Sequence, residues 1–324
     1  MARRAFVTGS TGFIGAKLIA DLVAHGYEVR ALVRSMERAR GLPAGVQPVL
    51  GDVTERESMR DGIAGADVVF HVAALYTVGV APNERERIWR VNVDGTRNTL
   101  ELATELGAEK IVYTSTVGVF GNTKGQLVDE SYRAPGSSFE SEYERTKYIA
   151  HYEVAVPLQQ RGAPVVIVCP GLVYGPGDTS QMGDVIRMYA RGRLPLMIGP
   201  ENAITWAHVD DIVAGHRLAA EKGRPGETYI LAGPAHTYRE FFEIAGRATG
   251  QRGPQLWLPS GVAGRLARLF ARVRPGTAEL LQQLAGISYL ARADKARAEL
   301  GWTPRPVEIG IQQTVGALRD AGGA

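Results

Sequence analysis

The sequence predicts an α/β fold: a doubly wound parallel sheet of the Rossmann type, followed by a smaller C-terminal lobe for substrate binding. Short apolar runs alternate with helix-length amphipathic segments through the first half of the 324 residues, which is the pattern of right-handed βαβ units. A glycine-rich stretch joins the first apolar run to the first helical segment, where dinucleotide-binding loops occur. After Gly171 the alternation loosens and Gly-Pro pairs interrupt the chain, which indicates a second structural unit.

Hydrophobic spacing defines the elements in order. Strands are predicted at Ala5–Thr8, Tyr27–Val33, Val46–Leu50, Asp67–Val72, Lys110–Ser115 and Pro164–Cys169. Helices are predicted at Ile14–His25, Val91–Leu106, Tyr143–Arg161, Asp184–Arg191, Asp210–Lys222, Tyr238–Thr249, Pro259–Val273 and Ala291–Leu300. We therefore expect a dinucleotide-binding domain over 1–171, to which 204–232 return, and a substrate-binding lobe made of 172–203 and 233–324.

The composition is that of an ordinary globular protein, with 45% hydrophobic and 22% charged residues. A net charge of +3 without a long run of Lys or Arg argues against a nucleic-acid partner. Cys169 is the single cysteine, which excludes an internal disulfide and disfavours a cysteine-based metal site. The run after Arg3-Arg4 ends at Gly9, too short for an export signal, and no stretch reaches the ~20 apolar residues of a membrane span. We expect a cytoplasmic protein that binds no metal and does not insert into membranes.

The strongest local signal is a glycine-rich loop with the spacing Gly-x-x-Gly-x-x-Gly between the first strand and the first helix. Glycine permits a tight turn, lets the backbone approach a pyrophosphate, and lets the helix pack on the strand. The helix N-terminus then presents N–H groups and the positive end of its dipole to the phosphates. The residues predicted to bind a dinucleotide here are Gly9, Ser10, Thr11, Gly12, Phe13, Ile14 and Gly15.

The end of the second strand distinguishes the two nicotinamide cofactors. NAD sites often place an acidic residue there to bind the adenosine ribose, whereas this strand ends at Val33 and is followed by Arg34. A guanidinium pairs well with the 2′-phosphate of NADP, and Arg38 offers a second contact. NADP(H) is therefore the preferred cofactor, with NAD(H) as the alternative.

Tyr143 and Lys147 lie four residues apart, on one face of a predicted helix. A free tyrosine, with a pKa near ~10, is a poor acid–base group at neutral pH, and a neighbouring ammonium is expected to lower that pKa. The phenol can then donate a proton to a carbonyl oxygen or remove one from an alcohol. At the end of strand 110–115, Thr116 or Ser115 can hydrogen-bond the same oxygen.

In this order, these motifs resemble the extended short-chain dehydrogenase/reductase family of the NAD-dependent epimerase/dehydratase superfamily, over nearly the whole chain. The matching residues are Gly9, Gly12 and Gly15, Asp52-Val53, His71-Val72-Ala73-Ala74, Asn92 in Asn92–Thr96, Thr116, Tyr143 with Lys147, Pro170–Pro176, His208–Asp211, and Leu300-Gly301-Trp302 with Pro304.

The resemblance implies roles for these residues. Asp52 and Val53 would hold the adenine, and Ala73 with Ala74 would line the cofactor groove. Tyr143 would be the catalytic acid–base, Lys147 would bind the nicotinamide ribose, and Thr116 would polarise the substrate oxygen. Pro170 and Val173 would flank the nicotinamide, whereas His71 and His208 look structural and Trp206 is either pocket wall or core.

Three positions narrow the choice within this family. Sugar-nucleotide dehydratases look like Thr-Asp-Glu at the active threonine, whereas Thr116 is followed by Val117-Gly118. Leu172 and Ile204 stand where sugar-nucleotide epimerases usually have the Asn and Arg that contact a diphosphate. The pattern is more similar to the dihydroflavonol-reductase and hydroxysteroid-dehydrogenase branch, which implies an NADPH-dependent reductase of an apolar ketone or aldehyde. A sugar-nucleotide epimerase and a non-catalytic NADP sensor are the alternatives.

An apolar access wall supports that choice, and it is predicted to include Leu75, Tyr76, Val78, Val80, Trp206 and the Met182–Met197 region. Cys169 is expected to be an inert, buried thiol. Residues 261–275 place apolar side chains on one helical face and arginines on another, which is compatible with an interfacial helix on anionic lipid or with packing on the lobe. Packing is the preferred interpretation. A homodimer is expected from the family resemblance.

Overall fold

A computed structural model of the chain describes residues 2–76, 84–133, 136, 139–270 and 288–322. Its strands are β1 (Arg4–Thr8), β2 (Glu28–Val33), β3 (Gln47–Leu50), β4 (Val68–His71), β5 (Lys110–Thr114), β6 (Val165–Pro170), β7 (Leu172–Tyr174), β8 (Leu196–Ile198), β9 (Ala203–His208), β10 (Thr228–Leu231), β11 (Ala235–Thr237) and β12 (Leu256–Leu258). Its α-helices are α1 (Phe13–Ala24), α2 (Met36–Ala39), α3 (Arg60–Ile63), α4 (Arg85–Trp89), α5 (Gly95–Glu105), α6 (Glu142–Ile149), α7 (Val156–Gln160), α8 (Gln181–Ala190), α9 (Val209–Lys222), α10 (Tyr238–Thr249), α11 (Ser260–Phe270) and α12 (Val307–Gly322).

Seven strands form a parallel sheet in the order β3-β2-β1-β4-β5-β6-β10. All six residues of β6 are buried, as expected for a strand covered by helices on both faces. Helix α1 packs through buried Leu18, Ile19 and Leu22, whose spacing places them on one side of the helix. The doubly wound Rossmann-type fold predicted from the sequence is confirmed.

The strand order reverses between β1 and β4, because the chain proceeds outward through β2 and β3 and then returns to the other side of β1. In open α/β sheets, a crevice opens at this reversal beyond the carboxyl ends of the strands. Here the loops after β1 and β4 flank that crevice, and the loops after β5 and β6 continue the same edge of the sheet. The fold therefore brings the predicted site residues to one edge.

A second hydrophobic core lies outside the parallel sheet. Strands β7, β9 and β11 form a three-stranded sheet, and β8 pairs with β12. Trp206 of β9 is stacked on Phe241 of α10, with ring centroids 3.7 Å apart and an interplanar angle of 12°. Trp206 is fully buried in this core, so of the two roles considered for it, the structure favours the core. Within 204–232, β10 returns to the parallel sheet whereas β9 does not.

Two predicted helices are less regular than their apolar spacing indicates, and the first of them is also longer. The first begins at Arg85 and contains a π-helical turn at Arg90–Asp94, and the second contains one at Ala150–Ala155. Such turns often occur at functional sites, and they rotate side chains relative to a regular helix. Helix α12 was not predicted, because Gly310 and Gly316 weaken its helical signal. Within the described ranges, no helix has the length and apolar character that crossing a bilayer requires.

Candidate active site

The glycine-rich loop after β1 leaves no room for a side chain at Gly9 or Gly15. Gly9 has φ +69°, and a Cβ atom added there would lie 2.7 Å from the backbone nitrogen of Ala73. A Cβ atom on Gly15 would overlap the carbonyl oxygen of Gly9. The Gly12 N–H donates to that same carbonyl at 2.9 Å, which closes the turn. These contacts explain the glycine spacing and leave a backbone-lined cradle.

The cradle fits a dinucleotide pyrophosphate because the N-terminus of α1 faces it without a competing anion. Gly12 caps the helix with no side-chain hydrogen bond, and the first turn contains no acidic residue. Its N–H groups and dipole therefore remain suited to a phosphate. The Ser10 hydroxyl donates to the Leu32 carbonyl at 2.5 Å, so Ser10 offers the cofactor its backbone rather than its side chain. Thr11 is exposed beside it, while Phe13 and Ile14 are half-buried in the first turn.

The adenosine end of the crevice is polar and open. Arg34 follows β2 and is exposed, as is Arg38, and neither guanidinium pairs with a carboxylate in the described part of the chain. Asp52 follows β3, and its Oδ1 accepts from the Thr54 N–H and hydroxyl, each at 2.9 Å. Val53 is buried, with its carbonyl held by Asn98 at 3.0 Å. The predicted adenine and phosphate contacts thus lie on neighbouring strand ends.

A buried amide ties the cofactor groove to the catalytic helix. Asn92, in the first π-helical turn, accepts from the Leu75 N–H at 2.7 Å and donates to the Leu75 carbonyl at 3.1 Å. It also donates to the Thr146 hydroxyl at 3.0 Å, which in turn donates to the Tyr143 carbonyl at 3.0 Å. The loop that carries Ala73 and Ala74 is therefore fixed relative to α6.

Tyr143 is half-buried on α6, and its ring packs edge-on against Tyr76, with centroids 4.8 Å apart. The sequence predicts a lowered pKa for Tyr143, but the structure gives the opposite direction. Burial, followed by the nearby Tyr76 phenol, raises the pKa of Tyr143. The expected lowering fails because the Lys147 ammonium binds elsewhere in this conformation. Tyr143 therefore carries its proton at neutral pH.

Lys147 is fully buried, beneath the end of β5. Its Nζ donates to the Thr114 carbonyl at 2.8 Å and to the Tyr113 hydroxyl at 3.1 Å, and it lies 4.7 Å from the centre of the Tyr113 ring. Burial lowers the pKa of Lys147 to about 7. Tyr113 stacks on His71, which hydrogen-bonds Thr8. Sequence reasoning missed Tyr113, which shows no motif beyond a strand position.

The loops after β5 and β6 complete the edge. The Thr116 hydroxyl is half-buried and accepts from the Gly118 N–H at 3.1 Å, while Ser115 is buried and hydrogen-bonds His151 at 2.8 Å. Of the two hydroxyls, only Thr116 is partly accessible. Pro170 ends β6 and is buried, and Val173 is half-buried on β7.

Cys169 is fully buried on β6, and burial raises the pKa of its thiol to about 12, which agrees with an inert thiol.

His71 is also fully buried, and His208 caps α9 by accepting from the Asp210 N–H at 3.3 Å. The Nε2 atom of His208 has no hydrogen-bond partner among the described residues, and the structural roles of both histidines stay predictions. No cluster of three or more His, Cys, Asp or Glu side chains able to hold a metal occurs in the ranges that the structure describes.

Near Tyr76, where the sequence predicts an apolar wall, the structure contains a buried carboxylate. Asp178 is 3% exposed, and its Oδ1 accepts from the Ser180 N–H at 2.8 Å. Its Oδ2 has no hydrogen-bond partner among the described residues. The pKa of Tyr76 is raised by burial first and by the charge of Asp178 second. In the sequence, the loop Gly175-Pro176-Gly177 just before Asp178 is the feature from which this site residue could have been predicted. Val78 and Val80, predicted for the wall, lie outside the described residues.

Glu144, next to Tyr143, is 6% exposed and accepts from the Glu140 N–H at 2.8 Å. Burial raises its pKa from 4.5 to about 7, so the folded protein retains a proton that the unfolded chain has released. The free energy of unfolding should therefore fall by roughly 3 kcal/mol between pH 4.5 and 7, relative to Glu144→Gln. Urea unfolding across this pH range measures the difference, and Glu153→Gln, an exposed site, is the control. Parallel pH curves for wild type and Glu144→Gln would contradict the prediction.

Comparison with known proteins agrees with this geometry. The NAD dependent epimerase/dehydratase family matches residues 5–232. The chain is 33% identical to 4-hydroxy-2-methyl-3-oxo-4-farnesyl-3,4-dihydroquinoline-1-oxide ketoreductase of Stigmatella aurantiaca, over 99% of this chain and 97% of the relative. It is 28% identical to the 3-beta-hydroxysteroid dehydrogenase of Mycolicibacterium neoaurum, over 93% and 87% of the two chains. The UDP-glucose 4-epimerase structure from Thermotoga maritima superimposes with a TM-score of 0.79 at 23% identity, covering 98% of this chain and 99% of that one, which shows the shared fold.

The chain therefore belongs to the NAD dependent epimerase/dehydratase family, as the sequence motifs predicted. It is an NAD(P)-dependent enzyme of the extended short-chain dehydrogenase/reductase type.

Proposed function

We propose that the protein is an NADPH-dependent oxidoreductase that reduces a ketone or aldehyde on a small, largely apolar molecule, or oxidises the matching alcohol. The observation that carries this proposal is the position of Tyr143. It lies on the same helix as buried Lys147, is tied through Thr146 and Asn92 to the loop of the cofactor groove, and packs against Tyr76.

In the proposed reaction, Gly9–Gly15 would hold NADPH, which would supply the hydride for the carbonyl carbon. The protonated phenol of Tyr143 would donate to the carbonyl oxygen. Its raised pKa in this structure makes it a weaker acid than a free tyrosine. Thr116 supplies a second hydrogen bond to the same oxygen, which holds the carbonyl in line with Tyr143. Lys147 would bind the nicotinamide ribose; in this structure its side-chain nitrogen is held by the Thr114 carbonyl and the Tyr113 hydroxyl. Ala73, Ala74, Pro170 and Val173 would flank the cofactor.

Two features support an apolar carbonyl substrate over a sugar nucleotide. Half-buried Leu172 and buried Ile204 stand where a diphosphate would need polar partners, and unpaired phosphate oxygens would lose affinity. Relatives named as a ketoreductase and a hydroxysteroid dehydrogenase also support this substrate class.

The test is fluorescence titration with NADPH and NADH, followed by a turnover assay on apolar ketones and aldehydes, with UDP-glucose and dTDP-glucose as competitors. NADPH consumption on at least one carbonyl compound, unaffected by either sugar nucleotide, would support the proposal. Tight binding of a sugar nucleotide with epimerisation would replace it by the epimerase alternative. Cofactor binding without any turnover would favour the sensor. A cytoplasmic location and a homodimer remain predictions, to be measured by fractionation and light scattering.

The preference for NADPH depends on Arg34 in this proposal. Arg34→Glu should raise the Kd for NADPH by about 10- to 100-fold and change the Kd for NADH far less, because a charge-assisted hydrogen bond to the 2′-phosphate contributes about 1.5–3 kcal/mol. Arg40→Glu, exposed beyond α2, makes the same change in charge away from the strand end and is the matched control. Equal increases in Kd for the two cofactors would show that Arg34 does not bind the 2′-phosphate.

A further inference from the structure

Exposed apolar side chains are concentrated in one part of the second structural unit. Of the eleven large hydrophobic residues exposed in the described chain, six lie on α8, β8, β12 and α11: Met188, Leu196, Leu256, Val262, Leu269 and Phe270. Leu196 and Leu256 are register partners in the β8–β12 pair, so their side chains emerge side by side, 45% and 65% exposed. Helix α11 follows β12 directly, after Pro259.

Helix α11 packs on the protein through its small residues rather than its large ones. Ala263 and Ala267, one helical turn apart, are buried, whereas Leu269 is 71% exposed and Phe270 is also exposed. The packing interpretation taken from the sequence is therefore wrong for Leu269 and Phe270. Val273 and Arg272, on the same predicted faces, lie outside the described residues.

The stretches that carry β8, β12 and α11 are basic, whereas α8 contains Asp184, and Glu201 accepts a hydrogen bond from Ser260 at the start of α11. Residues 190–200 and 250–270 contain five arginines, no lysine and no acidic residue. Since the whole chain has a net charge of +3, the remaining residues sum to −2. All five arginines are exposed, and none forms an ion pair or side-chain hydrogen bond within the described ranges: Arg191, Arg193, Arg252, Arg265 and Arg268. Elsewhere arginines are commonly paired, as Arg56, Arg60 and Arg217 are.

We propose that this surface, formed by Leu196, Leu256, Val262, Leu269 and Phe270 with the five arginines, docks on the anionic headgroups of a lipid membrane. Exposed leucines beside unpaired cations suit such an interface, because the apolar groups enter the acyl boundary while each cation gains about 1 kcal/mol near anionic lipid. An acidic protein partner would pair with the arginines. Such pairing would not account for this many exposed apolar side chains. Docking is peripheral and does not require a spanning helix.

The experiment is flotation of the purified full-length protein with vesicles of phosphatidylcholine alone and of phosphatidylcholine with about one third phosphatidylglycerol. We expect flotation with the anionic vesicles at about 0.1 M NaCl, loss of most binding at about 0.5 M, and little binding to the neutral vesicles. Arg265→Glu/Arg268→Glu should lower the partition coefficient at least about tenfold, since two charges are reversed. Leu269→Asp should lower it similarly.

Matched control variants distinguish vesicle binding through this surface from a general effect of net charge or exposed hydrophobicity. Arg161→Glu/Arg297→Glu changes the net charge equally at exposed sites elsewhere, and Leu127→Asp changes another leucine, 53% exposed. Both controls should float like the wild type, and thermal unfolding checks that every variant is folded. Failure of the wild type to float with anionic vesicles, or equal losses in the control variants, would overturn the proposal. Cofactor turnover is a separate measurement, so either proposal can fail alone.

Discussion

Phenylalanine in place of Tyr143 is expected to lower kcat for carbonyl reduction by about 10²- to 10⁴-fold, the usual contribution of a general acid. The ring remains, so its edge-on contact with Tyr76 and the backbone link to Thr146 should be retained. The Kd for NADPH should therefore change less than about twofold, well under 1 kcal/mol. Stopped-flow single turnovers, which report the hydride step directly, are the appropriate measurement.

Tyr148→Phe is the control, because it removes a hydroxyl from the same helix. Tyr148 is buried and packs against Phe139 and Tyr152, away from the Tyr76 contact. Its kcat should remain within a fewfold of wild type. Undiminished single-turnover rates in Tyr143→Phe would remove Tyr143 from the chemistry and return attention to Thr116 as the group on the substrate oxygen.

Alanine at position 15 is expected to disable cofactor binding and to weaken the fold. The added Cβ atom would overlap the Gly9 carbonyl, which is backbone and cannot swing aside. Since overpacking of this kind costs about 1–3 kcal/mol, we expect a lower free energy of unfolding of that size. The displaced loop should also raise the Kd for NADPH at least about tenfold, a loss of about 1.4 kcal/mol. Urea unfolding and fluorescence titration measure the two effects separately.

Gly41→Ala provides the comparison, because no atom lies within 4 Å of a Cβ atom at that position. Its stability and its affinity for NADPH should be close to those of the wild type. If Gly15→Ala bound NADPH normally, the loop would not be the pyrophosphate cradle, whatever its glycine spacing.

Much of the fold was predictable from the sequence, because its determinants are local and periodic. The glycine spacing of the β1–α1 loop and the continuous apolar run of β6 each report a backbone requirement that neighbouring residues reveal. Helix boundaries near Arg90 and Ala150 were less predictable, because π-helical turns arise from tertiary contacts such as those of Asn92 rather than from propensity.

The electrostatics of the candidate site were not predictable in the same way. The spacing of Tyr143 and Lys147 places both on one helix face, but it says nothing of the carbonyl at Thr114 that binds the ammonium. Burial, followed by the nearby Tyr76 phenol, raises the pKa of Tyr143, which is opposite to the expected direction. The surroundings of Asp178 were likewise not predictable, because three-dimensional packing decides whether its Oδ2 has a hydrogen-bond partner.

The hydrogen bonds of Asn92 make its position intolerant of even the most conservative exchange. Its carboxamide oxygen accepts from Leu75, and its nitrogen donates to both Leu75 and Thr146. Aspartate has the same shape but would place a negative charge against the Leu75 carbonyl and lose both donors, and leucine would lose all three bonds. The site thus depends on the donor and acceptor pattern of a fully buried residue, a dependence that no inspection of the pocket lining alone would reveal.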